Sequence, residues 1–186
     1  MPVAARARRY APASAGFTLV EVLVALFVVA LGIAGAAGVQ ALALRSAREA
    51  ARMADGVQLA AALAERMRAN PVAMALDDAA NPYLRLDYDA AAGPPPAVAD
   101  CYSTGCDAAR LADFDLSETT RELKLRFPRG RVLACRDSSD AEASGVPPWS
   151  CNGEPGAPLV IKLGWPDTDA TDAMPRVLLP VAGGHA

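Results

Sequence analysis

The costliest chemistry in this sequence is a carboxylate set in a hydrocarbon-like run. Glu21 follows Gly16-Phe17-Thr18-Leu19-Val20 and precedes 18 residues, Val22 to Val39, that carry no charge. On insertion scales a charged side chain at mid-bilayer costs about 2.5–3.5 kcal/mol, so one that is retained calls for a cationic partner. The remaining residues offer little for catalysis. The only histidine, His185, is penultimate, which closes histidine-based nucleophile and general-base schemes. Gly32, Gly35 and Gly38 lie inside the apolar run and form no phosphate loop. Asp77, Asp78, Asp167, Asp169 and Asp172 fall in turn-like stretches and read as solvated loop carboxylates. A calcium loop at Asp167/Asp169/Asp172 lacks the EF-hand ligand spacing.

Cys101, Cys106, Cys135 and Cys151 all follow the apolar run. If that run carries the rest of the chain across a membrane, they reach an oxidising compartment where disulfides persist. Sequence neighbours suggest Cys101–Cys106 and Cys135–Cys151, although four cysteines allow three pairings. Zinc is the rival reading, weakened by the absence of CxxC spacing. No metal and no cofactor is expected. Arg129 and Arg131 bracket a turn read as an exposed hairpin tip. Trp149 and Trp165 read as core or loop-packing residues.

The elements that must position these groups follow from pattern. With 186 residues and a formal net charge of −3, the chain has room for a membrane segment and one modest domain, and no charge excess that predicts nucleic-acid binding. Residues 1–16 are basic, with Arg6, Arg8 and Arg9, and read as a leader. The apolar run is close to the minimum for spanning a bilayer. Beyond it Val39, Leu42, Ser46, Ala50, Met53, Val57, Ala60, Ala64 and Met67 recur at steps of three or four. The spacing predicts one amphipathic helix from about Phe17 to Ala69, ended by Asn70-Pro71. Residues 71–106 read as a long irregular connection, and a helix is expected from Asp107 to about Leu125. Strands are expected at Arg131–Cys135, Leu159–Trp165 and Arg176–Val181, the last at a sheet edge because of Pro180. The expected fold class is α+β: a long N-terminal helix, membrane half then amphipathic half, whose stripe covers a small antiparallel sheet. The expected division is 1–16, 17–44, 45–70 and 71–186.

Three readings compete for the N-terminal segment. A secretory signal peptide would be cut after an A-x-A site near Ala34-Gly35-Ala36 or Ala41-Leu42-Ala43. A plain signal anchor needs only the basic flank and the run. Neither accounts for Glu21 or for a helical pattern that continues past the run. The stretch Gly16-Phe17-Thr18-Leu19-Val20-Glu21-Val22-Leu23-Val24-Ala25 resembles the class III signal of type IV pilins and pseudopilins. That resemblance implies cleavage by a prepilin peptidase between Gly16 and Phe17, N-methylation of Phe17, and a salt bridge from Glu21 to the N-terminal amine of a neighbouring subunit. The proline often present in the membrane half of major pilins is absent here.

The helix end Glu65-Arg66-Met67-Arg68-Ala69-Asn70 and the segment Pro128-Arg129-Gly130-Arg131-Val132-Leu133-Ala134-Cys135-Arg136-Asp137 look similar to minor pilins of the PilV type, which carry a small α+β head. The resemblance implies an inner-membrane protein with one crossing, its head in the periplasm, later part of a pilus or its base. Its partners would be the peptidase, other major and minor pilins through the helix, and the pilus assembly platform, with no nucleic acid. A minor pseudopilin of a type II secretion system is the alternative within the class. A single-pass membrane protein with a periplasmic binding head is the alternative outside it.

Overall fold

The computed structural model describes residues 16–98, 100–103, 105–139, 147–167, 170 and 172–181. The expectations for residues 1–15, Asp169 and His185 lie outside them. The chain divides into two compact units at Arg48/Glu49. Helix α1 (Leu19–Ala69) is 51 residues long with no proline inside it. In the first unit every described residue is exposed, the apolar run included. By length and composition α1 can cross a membrane.

The second unit is α+β. Asn70 ends α1 and caps α2 (Pro71–Met74) by accepting the Ala73 N–H at 3.3 Å. A 3-10 turn (Pro82–Arg85) leads into β1 (Asp87–Asp89). Asp107 then caps α3 (Ala108–Arg126), its carboxylate accepting the Arg110 N–H at 2.8 Å. Strands β2 (Arg131–Arg136), β3 (Leu159–Trp165) and β4 (Met174–Pro180) follow. All neighbours pair antiparallel in the order β1-β2-β3-β4. The sheet therefore has four strands rather than the expected three. The extra strand and both short helical pieces lie in the stretch read as irregular, because none is long enough to show a period. Pro128-Arg129-Gly130 joins α3 to β2 and so is a helix–strand turn, not a hairpin tip.

Period-two alternation sorts the sheet faces. Val132 and Ala134 of β2, with Leu159, Ile161, Leu163 and Trp165 of β3, enter one core with Leu59, Ala60, Leu63, Ala64 and Met67 of α1 and Leu123 of α3. Full burial of a side chain such as Leu63 or Met67 is worth about 1.5–3 kcal/mol. The buried stripe of α1 partly departs from the expected one: Ala60, Ala64 and Met67 are buried, whereas Met53 and Val57 are exposed and Gly56, Leu59 and Leu63 take the core face. Gly56 is there because a Cβ would fall 2.6 Å from the Trp165 ring, which stacks on Phe127 with centroids 4.6 Å apart. The opposite face, with Leu133, Cys135 and Lys162, is covered by the 147–151 segment, where Trp149 lies 4.9 Å from the Arg131 guanidinium. Gly164 sits at a β3/β4 register shift where a Cβ would meet the Met174 carbonyl.

Candidate processing and assembly site

Gly16, Phe17 and Thr18 precede the first turn of α1 as exposed, non-helical residues. Thr18 Oγ1 accepts the Glu21 backbone N–H at 3.3 Å. This is half of a capping box, Ser/Thr-x-x-Glu, in which a hydroxyl satisfies one orphan donor of the helix start. The Thr18-x-x-Glu21 spacing was available in the sequence as a helix-start signal, and it places the carboxylate in the first turn, where the helix dipole favours negative charge. Among the described residues no cation meets the Glu21 side chain. Its neighbours in the chain are exposed apolar residues, with Phe17, ahead of the helix, 81% and Val22, on α1, 48% exposed.

The four cysteines form two disulfides, Cys101–Cys106 and Cys135–Cys151, with Cα separations of 5.6 and 6.4 Å. Behind the second lies an ion pair between chain positions too far apart for the sequence to link. Lys162 is fully buried, its Nζ 2.5 Å from Asp137 Oδ2, and it donates to the Pro148 and Ser150 carbonyls at 2.7 Å each. Asp137 Oδ1 accepts the Ser139 N–H at 3.0 Å, the Ser139 hydroxyl at 2.6 Å and the Asn152 N–H at 3.3 Å. Burial alone would push the Asp137 carboxyl up, but the Lys162 ammonium, the Ser139 hydroxyl and the two amides together hold it down to about 2.

A second buried network joins three elements. The Tyr83 hydroxyl donates to Asp115 Oδ2 at 2.7 Å, and Asn70 Nδ2 donates to the Ala108 carbonyl at 2.7 Å and to the Tyr83 oxygen at 3.3 Å. Here burial wins, and the Asp115 carboxyl is raised despite the Tyr83 hydroxyl and the Arg66 charge.

Several of the remaining sequence candidates make contacts within the fold. Arg131 forks onto Asp87 at 2.9 and 2.8 Å, Asp78 pairs with Arg136 at 3.0 Å, and Asp167 pairs with Arg176. Trp165 is core, and Trp149 donates to the Ala173 carbonyl at 2.9 Å. Among the described residues no group of three or more His, Cys, Asp or Glu side chains is placed to hold a metal.

Residues 12–37 match the family model described as the prokaryotic N-terminal methylation motif. No curated protein and no solved structure matches the chain. The chain thus carries a type IV prepilin-like class III signal, and with the long helix and four-stranded sheet its architecture is pilin-like. The motif marks type IV pilin-like and pseudopilin proteins, which are structural rather than enzymatic, and implies processing by a prepilin peptidase and pilin-type assembly.

Proposed function

We propose that the chain is a minor type IV pilin. A prepilin peptidase cuts it between Gly16 and Phe17, and the new terminus is methylated on Phe17. The observation that carries this reading is Glu21: a carboxylate in the first turn of an exposed apolar helix, inside the matched motif, with no cation beside it among the described residues. Cleavage makes such a cation four residues away, at the Phe17 amine. Phe17 lies just ahead of the first turn that carries Glu21, so on this reading an intrachain contact serves until assembly, when the amine of the next subunit becomes the lasting partner. A carboxylate and an amine that meet in hydrocarbon offset each other's desolvation, while either alone is strongly disfavoured.

On this reading residues 1–16 are the leader, 17–44 the membrane and assembly half of the helix, 45–70 its amphipathic half, and 71–186 a periplasmic head. The protein resides in the inner membrane and passes to the pilus or its base, where it primes assembly or modifies the fibre. Other pilins meet it through the helix and the assembly platform engages it.

Mass spectrometry of the mature N-terminus is the test. N-methylated Phe17 is expected; an intact Met1, or a start near Val39, overturns the reading. The motif equally favours a minor pseudopilin of a type II secretion system. A deletion strain that lacks pili but secretes normally supports the pilin, and the reverse phenotype supports the pseudopilin.

A further inference from the structure

In the second unit a cleft of about 400 Å³ opens between α1, the end of α3 and the end of β3. Arg52, Arg126 and Arg129 line it, above the Phe127–Trp165 stack, and among the described residues Asp167 is its one acidic lining residue. That carboxylate is already bound to Arg176. Arg126 reaches Asp55 only at 3.9 Å and the half-buried Glu122 at 3.6 Å, distances at which pairs this near the surface are worth little. Arg129 uses one nitrogen on the Ala170 carbonyl, and Arg52 makes no ion pair among the described residues. A protein of net charge −3 therefore concentrates three weakly engaged guanidinium groups around one concavity. Guanidinium forks match the two oxygens of an oxyanion.

The floor of the cleft narrows the ligand. Phe127 and Trp165 are 5% and 3% exposed; they cover each other, and Arg176 lies 5.4 Å from the Trp165 ring centroid. No ring face is open for a nucleobase, although base stacking is the main sequence-tolerant contribution to single-strand binding. We infer that this cleft receives a segment of a partner protein carrying adjacent carboxylates, held by Arg52, Arg126 and Arg129 over an apolar floor. Its chemistry does not depend on processing at Gly16.

The test uses the full chain in neutral detergent micelles and a fluorescein-labelled, capped hexaglutamate peptide read by anisotropy. Saturable binding is expected, at least tenfold tighter than for the hexaglutamine peptide. Arg52→Gln should weaken it about threefold, and the Arg52→Gln/Arg129→Gln double variant at least tenfold, with unchanged thermal melting showing that the fold is kept. Arg52 is exposed and makes no ion pair among the described residues, so the single variant guards against a folding artefact in the double one. No binding, equal binding of the glutamine peptide, or an unaltered midpoint in the folded double variant overturns the proposal. So does tighter binding of a single-stranded oligonucleotide of equal charge, which would assign the cleft to nucleic acid. An unprocessed N-terminus with intact peptide binding would remove the pilin reading and leave the cleft standing.

Discussion

At the scale of single residues, the carboxylates Glu21 and Asp137 have opposite surroundings. Glu21 lies in an exposed apolar helix without a counter-ion among the described residues, so replacing it should spare folding and affect association. If the chain is the minor pilin proposed above, Glu21→Ala should insert and be cleaved while the sheared pilus fraction loses the protein; incorporation at the level of the unsubstituted chain on an immunoblot of that fraction would remove the partnering role. Asp137 is buried with its counter-ion. Lys162→Met should cost about 3–5 kcal/mol in chemical denaturation, because it strands a buried charge, and Asp137→Leu added to it should restore most of that loss. The pH dependence has a definite sign. The folded Asp137 carboxyl, at about 2, lies below its ordinary 3.8, so its contribution is present above that value and disappears as pH falls through about 2. Asp115 is raised, so its contribution is present at low pH and is lost as pH rises through its folded value. Asp137→Asn should flatten the acid limb of stability against pH, and Asp115→Asn should flatten the decline on its upper side.

At the scale of elements, the packing of α1 on β3 turns on one missing methyl. Gly56→Ala should gain about 1 kcal/mol of helix propensity and lose about 1–3 to overpacking against Trp165, for a net fall in melting temperature. In a Trp165→Leu background the clash is gone, and the same change should become neutral or stabilising. Sequence pattern resolved the elements whose period is long enough to read: β3 emerged at its observed bounds, and α3 at its cap. It missed β1 because Asp87-Tyr88-Asp89 is three residues with two carboxylates. It misplaces part of the α1 stripe because steps of three and four can drift across a helix face: Met53 and Val57 fit the steps, but Gly56, Leu59 and Leu63 hold the burial. The methylation motif was legible because every residue of it is local. The Lys162–Asp137 pair was not, because a lysine between apolar residues of a strand reads as the wet face until a distant loop covers it.

At the scale of the whole molecule, the second unit is held by a modest core and two covalent loops. The Cys135–Cys151 bridge closes a loop of 16 residues and should contribute about 3 kcal/mol; Cys101–Cys106, spanning 5, should contribute less. Thermal melts of Cys135→Ser/Cys151→Ser and Cys101→Ser/Cys106→Ser double variants should rank in that order. The sheet also ends in a particular way on both sides. Pro175 and Pro180 stand on β4, and the opposite margin is a three-residue strand bearing Asp87 and Asp89. Prolines withhold donors and carboxylates repel, so neither margin is a good template for a further strand. Copies of this chain can be crowded together without their sheets fusing into continuous aggregates.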